Sequence, residues 1–199
     1  IRKYAGNGRE AVNMVQIAAG LAIEAGRHYV SVEDAEWVVN SGQYSPRYEQ
    51  KIPAEPQVGL ANGLAVVGPS AGALLEIEVT AIPVTNKDGR IIVTGIADEE
   101  EIGDSRHVIR RQSMAKESVQ NVLTALRQVL DFSRDDYDIH VNFPGGRPVD
   151  GPSAGVTMAV AIYSALTKTP VDNKVAMTGE ISIRGMIKPV GGTVVKIQA

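Results

Sequence analysis

The spacing of apolar residues predicts that the chain begins with two short helices. In the first, apolar residues recur at three- and four-residue steps from about position 8 to 25, and Gly26 is placed to end the helix. The apolar positions of this stripe are Val12, Val15, Ala19 and Ala22. Ser31 opens the second helix, Asp34 completes an approximate capping box, and Gly42 closes it. Two helices of this length cannot bury both apolar faces alone, so residues 1–42 are expected to pack against a neighbour.

Residues 43–58 lack this periodicity and are predicted to be a linker. Pro46, Pro53 and Pro56 are spread among Gln, Glu, Arg and Lys. Because proline fixes φ and removes a backbone donor, the stretch is expected to be extended and semi-rigid. The sequence therefore predicts a small helical piece followed by a larger domain at 59–199.

In the larger domain, the helical period gives way to the two-residue alternation of half-buried strands. The alternation is clearest at 74–82, and the turn sequence Asn86-Lys87-Asp88-Gly89 predicts that the strand at 90–94 returns along it. Further strands are predicted at 60–67, 137–143, 174–177, 181–183 and 185–189, after which the Gly191-Gly192 turn leads into 194–197.

Two helices are predicted among these strands. Residues 108–130 have an amphipathic helical period, and the apolar run 156–166 is long enough to be a buried helix. The acidic stretch 98–104 is interpreted as a solvated loop, because its carboxylates lack the spacing of a calcium loop. A β-rich start, a helix, a strand, a helix and closing strands together predict an α+β fold.

Composition narrows the classes of function. The 199 residues are 44% hydrophobic with a formal net charge of −3 and no basic stripe, which argues against a general nucleic-acid-binding protein. The absence of cysteine excludes disulfides and cysteine-ligated zinc and is compatible with a reducing compartment, so we expect a cytoplasmic location. No apolar run approaches the roughly 20 residues of a membrane span. Because Ile1 is not a start methionine, we expect a piece of a longer chain.

The pentapeptide Gly-Pro-Ser-Ala-Gly occurs twice, at 68–72 and 151–155. The first copy precedes an alternating strand, so Ser70 is predicted to lie in a hairpin turn. The second copy precedes the apolar helix, where free N–H groups and the positive end of the helix dipole favour an oxyanion beside Ser153. Taken alone, Ser153 also fits a simple helix N-cap.

A serine nucleophile needs a base that removes its hydroxyl proton. His28 falls in the helical piece and His107 at a predicted helix start, which leaves His140, on the strand before the Ser153 loop, as the histidine candidate. Lys196 is the other candidate, because it stands in an apolar setting and burial lowers a lysine pKa from about 10.4 toward neutrality. A solvated surface lysine is the alternative interpretation.

Nucleotide-binding motifs are not supported by their context. Gly6-Asn7-Gly8-Arg9-Glu10-Ala11 matches a variant dinucleotide fingerprint, but no buried strand precedes it and no βαβ unit surrounds it. A loop at a helix start is the better interpretation. The chain also lacks the Gly-x-x-x-x-Gly-Lys-[Ser/Thr] sequence of a P-loop.

Three motifs in order carry a resemblance to a known family. They are Pro148-Val149-Asp150-Gly151-Pro152-Ser153-Ala154-Gly155, then Ala176-Met177-Thr178-Gly179-Glu180-Ile181-Ser182-Ile183-Arg184-Gly185, and then Pro189-Val190-Gly191-Gly192 followed by Lys196. With them the chain resembles the Lon family of ATP-dependent proteases, and its B-type more than its A-type branch. The resemblance implies an α+β, ribosomal protein S5 domain 2-like proteolytic domain at 59–199, preceded at 1–42 by the end of an AAA+ helical lid. Because the family domain continues past Lys196, the domain is expected to be truncated at its C-terminal end.

The resemblance also implies roles for individual residues. Ser153 would be the nucleophile and Lys196 the general base of a Ser–Lys dyad, with Thr178 hydrogen-bonded to the lysine. The polar residues that would support the dyad are Asp150, Glu180 and His140. Asn142 stands where many relatives have a second histidine, and Arg9 matches the sensor arginine that the lid turns toward nucleotide.

For the whole protein, the resemblance implies a homo-hexameric ring that degrades unfolded or damaged proteins in an enclosed chamber as part of protein quality control. ATP and Mg²⁺ would act elsewhere in the parent chain, so no cofactor or metal is expected in this sequence. Neither nucleic acid nor a membrane segment is expected. The alternatives are a catalytically inactive Lon-like scaffold and a phosphate-binding domain whose glycine loop cradles an anion.

Overall fold

A computed structural model of the protein describes residues 1, 3–46, 52–67, 71–96, 99–104, 107–145 and 151–199. For residues 71, 99–104 and 107–112 it describes the main chain. The chain divides into two compact units, Ile1–Lys51 and Ile52–Ala199. None of the helices within the described ranges is long and apolar enough to cross a membrane.

The first unit contains the two predicted helices, α1 at Gly8–Glu24 and α2 at Val32–Ser41. The predicted capping box of α2 is confirmed. The predicted buried stripe of α1 is wrong at Val12 and Val15, which are 55% and 48% exposed. The buried side chains among the described residues of this unit are Ala5, Met14, Ala18, Ala22, Asp34 and Val38, and of these Ala22 belongs to the predicted stripe. α1 therefore buries Met14 and Ala18 in place of Val12 and Val15.

An ion pair holds the corner between α1 and α2. The Arg27 guanidinium donates from both terminal nitrogens to the buried Asp34 carboxylate, over 2.7 and 2.6 Å. The Ser31 N–H donates to the same carboxylate over 2.8 Å, which closes the capping box. The Arg27 bond is the largest cause that holds the pKa of Asp34 well below its usual range, and the Ser31 N–H adds to it.

The second unit contains nine strands and three α-helices over the described ranges. In chain order its elements are β1 Leu60–Val67, β2 Ala71–Pro83, β3 Ile91–Thr94, β4 Glu99–Asp104, β5 His107–Gln112, α3 Met114–Val129, β6 Tyr137–Asn142, α4 Gly155–Thr167, β7 Ala176–Met177, β8 Glu180–Ile181, β9 Ile187–Lys188 and α5 Thr193–Ile197. Two 3-10 turns, Arg134–Asp136 and Pro152–Ala154, precede β6 and α4. This mixture confirms the predicted α+β class.

Five strands form the main sheet in the order β3-β6-β2-β1-β7. β2 pairs antiparallel with β1 and β6, whereas β3 and β7 pair parallel with β6 and β1. The pleat places every second residue in one core with α3 and α4. The fully buried members of that core include Ile77, Ile139, Val141, Val119, Val122, Met158 and Ile162.

Two predictions about the strands and the long helix are wrong. Residues 99–104, expected to be an acidic loop, form β4, which pairs antiparallel with β5. α3 therefore begins at Met114 rather than near 108, and His107 lies in a strand rather than at a helix start. The pairing register sets the main chain of Glu100 opposite that of Arg111. The acidic sequence at 99–104 does not by itself indicate that it pairs with residues 107–112.

The predicted hairpin between β2 and β3 is also wrong, because β6 lies between these strands. The turn before β3 is held by the segment that precedes β6: the Gly89 N–H donates to the Asp135 carbonyl and the Val84 N–H to the Asp136 carbonyl. Residues 194–197, which follow the closing strands, lie in the short helix α5.

Candidate active site

Ser153 lies in the 3-10 turn Pro152–Ala154, immediately before α4. The turn begins at Gly151, whose φ of 95° is a conformation that glycine adopts without strain. Ala154 occupies the N-cap position of α4, and no side chain caps that helix. The interpretation of Ser153 as a simple N-cap is therefore wrong, because its hydroxyl does not cap the N-terminus of α4.

Lys196 lies in α5 and is only 3% exposed. The helix follows Gly192, which has a φ of 69°. Burial lowers the pKa of the Lys196 ammonium from its ordinary value of 10.5, because the charged form loses hydration. The ammonium nitrogen donates to the Thr178 hydroxyl over 2.9 Å. The alternative of a solvated surface lysine is therefore wrong.

Thr178 connects this lysine to the main chain of Ser153. Its hydroxyl accepts from Lys196 and donates to the Ser153 carbonyl oxygen over 3.2 Å. Among the hydrogen bonds of the described residues, none joins the Lys196 nitrogen directly to the Ser153 hydroxyl. Ser153 and Lys196 are thus linked indirectly, by the two hydrogen bonds of the Thr178 hydroxyl. These bonds orient the lysine side chain near the start of α4.

Two main-chain hydrogen bonds fasten the following residue, Gly179, to the same turn. The Gly179 N–H donates to the Ser153 carbonyl over 2.8 Å, and the Val156 N–H donates to the Gly179 carbonyl over 3.0 Å. Gly155 allows this approach, since a Cβ there would lie 2.7 Å from the Ile181 nitrogen. The segment at 178–181 is therefore held against the serine turn along its main chain.

Gly72 allows a close main-chain approach of the same kind for α5, the helix that carries Lys196. A Cβ at this position would overlap the Val195 carbonyl oxygen, so α5 packs directly on the main chain of β2. Gly72 is the last residue of the first Gly-Pro-Ser-Ala-Gly copy. Ser70 of that copy lies outside the described residues.

The supporting residues expected from the sequence have different positions. Glu180 is half-buried and begins β8, two residues after Thr178. Asp150 lies outside the described residues. Arg9 is an exposed residue in the first turn of α1, in the first unit.

His140 belongs to an exposed polar network on the main sheet. Thr94 donates to the Asn142 side-chain oxygen over 2.7 Å, so its hydroxyl accepts the 2.9 Å hydrogen bond from His140 Nε2. Asn142 in turn donates to the Glu78 carboxylate over 2.9 Å. None of the described hydrogen bonds of His140 reaches Ser153 or Lys196, and any role of His140 in the dyad stays a prediction.

Sequence reasoning did not single out Gly155, Gly179 or Gly72 as parts of this site. The three glycines carry no local signal, since their importance comes from main-chain approach between segments distant in sequence. Thr178 was identified only through the motif in which it stands.

Chemically, the site places a buried amine with a lowered pKa beside a serine at a helix start. A neutral amine accepts a proton, and unused N–H groups at a helix start stabilise negative charge. The arrangement therefore suits attack of a hydroxyl on a carbonyl carbon.

A family model described as "Lon protease (S16) C-terminal proteolytic domain" matches residues 30–199. The chain is 58% identical over 199 residues to Lon protease 2 of Bacillus subtilis (strain 168), covering 100% of this chain and 36% of that protein. It is 35% identical over 210 residues to the archaeal Lon protease of Thermococcus kodakarensis, covering 96% of this chain and 30% of that protein. Identity to Lon protease 1 of Thermus thermophilus is 40% over 181 residues, covering 87% of this chain and 20% of that protein. The chain thus spans about a third or less of the length of these curated relatives.

Proposed function

The chain belongs to the family of Lon protease C-terminal proteolytic domains, and on that basis we propose that it hydrolyses peptide bonds with a Ser153–Lys196 dyad. The observation that carries the proposal is the buried Lys196 ammonium nitrogen, 2.9 Å from a Thr178 hydroxyl that also bonds the Ser153 main chain. A lysine placed there for stability alone would be costly, because burial disfavours its charge.

The reaction begins when neutral Lys196 takes the proton of the Ser153 hydroxyl. The Ser153 oxygen then attacks the scissile carbonyl carbon, and the peptide C–N bond breaks as protonated Lys196 returns its proton to the leaving amine. Water then enters, gives a proton to Lys196 and attacks the acyl carbon. The ester bond to the Ser153 oxygen breaks, which releases the carboxylic acid product, and Lys196 returns the proton to that oxygen to restore the serine hydroxyl. Burial aids both halves of the reaction because it lowers the pKa of Lys196 and so raises the neutral fraction of the amine at a given pH.

Main-chain N–H groups at the start of α4 would hold the oxyanion that forms in both steps. The Val156 N–H is not one of them, because it already donates to the Gly179 carbonyl. The Gly155 N–H is excluded for the same reason, because it donates to the Pro152 carbonyl, so the proposed donors lie at Ser153 itself and around it. The 3-10 turn is suited to this because a helix start leaves N–H groups without helical partners.

The remaining predicted residues would assist the dyad without forming bonds to substrate. Neutral Lys196 would donate one N–H to the Thr178 hydroxyl, which leaves the lone pair of its nitrogen free to accept the Ser153 proton. Asp150, Glu180 and His140 would tune or gate the site. In the described part of the chain, β9 pairs only with β8, and an extended substrate could pair with the open strand edge.

For the whole protein we propose an ATP-dependent serine endopeptidase that assembles as a homo-hexamer, acts on unfolded proteins and works in the cytoplasm. Residues 1–42 would be the end of the AAA+ lid and residues 43–58 its linker to the proteolytic domain. Arg9 would then respond to the nucleotide held elsewhere in the parent chain.

A non-catalytic scaffold is the competing function. It is disfavoured because an inactive domain has no need for a buried lysine bonded to Thr178 beside a serine turn. It predicts that the wild-type protein itself hydrolyses no peptide bonds.

The proposal is tested by hydrolysis of casein and of a fluorogenic peptide by the wild type, Ser153→Ala and Lys196→Ala. We expect both variants to lose at least about 1,000-fold in kcat while keeping the wild-type circular dichroism spectrum. Lys174→Ala, which removes an exposed lysine that precedes β7, is the matched control and should retain full activity. Hydrolysis by Ser153→Ala at the wild-type rate would reject Ser153 as the nucleophile, whereas a folded wild type that hydrolyses neither substrate would favour the scaffold.

A further inference from the structure

We propose that Thr157 is a positioning residue of the dyad, acting through Met177 on Thr178. The inference rests on the proposed function, since it assigns a residue that sets the geometry of the Ser153–Lys196 pair. Thr157 touches neither of those two side chains in any described hydrogen bond. Its hydroxyl donates to the Met177 carbonyl over 3.1 Å.

The direction of this hydrogen bond is unusual for a threonine inside a helix. Such a hydroxyl commonly donates to the carbonyl four residues earlier, which is that of Ser153. The Ser153 carbonyl already accepts from the Gly179 N–H and the Thr178 hydroxyl, and a carbonyl oxygen has two lone pairs. Thr157 therefore donates out of α4, to the strand that leads into Thr178.

The bond fixes a segment that has few other restraints. β7 is two residues long, lies at the edge of the main sheet, and pairs only with β1 among the described strands. The Met177 carbonyl belongs to the peptide unit that ends at the Thr178 nitrogen. Holding that carbonyl consequently limits the rotation of the peptide plane from which the Thr178 side chain projects toward Lys196.

The surroundings of Thr157 are shaped to keep its hydroxyl in place. The residue is fully buried. Gly63, which is the β1 partner of Met177, would bring a Cβ to 3.0 Å from the Thr157 hydroxyl oxygen and 3.4 Å from its methyl carbon. A glycine at this position leaves room for the threonine and nothing larger.

The helix and the strand are thus joined at two levels, one turn apart. At the first level Ser153 bonds Thr178 and Gly179, and at the second Thr157 bonds Met177. Without the hydrogen bond from Thr157 to Met177, Thr178 would be free to rotate about its bonds to the Ser153 main chain. Lys196 would follow, because Thr178 is its described hydrogen-bond partner.

The test compares Thr157→Val, which keeps the shape but removes the hydroxyl, with Thr157→Ser, which keeps the hydroxyl. Ser164→Ala is the matched control, because Ser164 is a buried hydroxyl of α4 that donates to Thr169 and accepts from Gly59, away from the dyad. The measured quantities are kcat and KM for a peptide, the second-order rate constant for labelling of Ser153 by a fluorophosphonate, and the melting temperature.

We expect Thr157→Val to lower both kcat and the labelling rate constant about 10-fold with KM nearly unchanged, and Thr157→Ser to stay within about threefold of wild type. Ser164→Ala should lower the melting temperature without slowing the labelling. Wild-type labelling by Thr157→Val, or an equal loss of rate in Ser164→Ala, would overturn the positioning role.

A second variant covers the case in which Thr157→Val does not fold. Gly63→Ala presses on the same hydroxyl from β1 and is expected to slow labelling about threefold, whereas a wild-type rate would count against the proposal. Ser153→Ala separates the two hypotheses. If Ser153→Ala retains hydrolysis, the proposed function is wrong; if it is inactive while Thr157→Val is unimpaired, only the positioning role is wrong.

Discussion

Replacing Gly155 by alanine would force the serine turn away from the segment that carries Thr178. The new Cβ would lie 2.7 Å from the Ile181 nitrogen, 3.2 Å from the Gly179 oxygen and 3.4 Å from the Glu180 carbonyl carbon. These are main-chain atoms, so no side chain can rotate aside. To reach an ordinary contact, the turn and the segment must separate by about 0.7 Å.

That movement affects both stability and rate. It stretches the two main-chain hydrogen bonds between the turn and Gly179, which now measure 2.8 and 3.0 Å. Strain of about 1–3 kcal/mol and two weakened hydrogen bonds of about 1 kcal/mol each predict a loss of about 3–5 kcal/mol. For a chain of this size the melting temperature should fall by about 6–20 °C. A displacement of this size between reacting groups should lower kcat/KM by about 10- to 100-fold.

The assay is peptide hydrolysis at a temperature well below the melting transition of the variant, with the folded fraction measured by circular dichroism. Gly20→Ala is the control, because Gly20 is an exposed glycine of α1 with nothing within 4 Å of the position that the added methyl carbon would occupy. It should stabilise the helix by about 1 kcal/mol and leave kcat/KM unchanged. A folded Gly155→Ala protein with wild-type kcat/KM would show that the close approach is unimportant for the dyad.

Three further predictions concern charge and packing. Because burial lowers the pKa of Lys196 below the 10.5 of the unfolded chain, the unfolded state binds more protons between those two values, and stability rises with pH there. Lys196→Met should therefore raise the melting temperature more at about pH 6 than at about pH 10, and equal shifts in calorimetry would contradict this. Asp34 has a depressed pKa, so the first unit should lose stability as pH falls below about 4; fluorescence of Trp37 should show that loss in the wild type and not in Asp34→Asn. Gly72→Ala should displace α5 and lower kcat about 10-fold or more in peptide hydrolysis, whereas unchanged kcat would show that α5 tolerates the added methyl.

Local chemistry made much of the fold predictable. The capping box at Ser31 and Asp34, the alternation in β2 and β6, and the apolar run of α4 each identified an element from residues close together in the chain. The predictions failed where pairing between distant segments decides the structure. β3 follows a good turn sequence, yet it pairs with β6 because the loop before it docks on residues 135–136.

The candidate site likewise has residues that the sequence identified and contacts that it did not. Ser153 and Lys196 were identified by a helix start, an apolar setting and the motifs of a family. The sequence alone left a capping serine and a solvated lysine as alternatives, and the absence of a cap bond and the burial of Lys196 remove both. The close approaches at Gly155 and Gly72 were not predictable, because each depends on backbone atoms of a segment far away in sequence.

The pH dependence of covalent labelling at Ser153 tests the Ser–Lys dyad most directly. After reaction with a fluorophosphonate, peptide mapping by mass spectrometry should place the adduct on Ser153. The labelling rate should rise with pH as one group deprotonates, with an apparent pKa below the ordinary lysine value of 10.5, because burial lowers the pKa of Lys196. Lys196→Met should remove that titration and slow the labelling by at least about 100-fold. An adduct on another residue, or a pH profile that Lys196→Met leaves unchanged, would contradict the dyad.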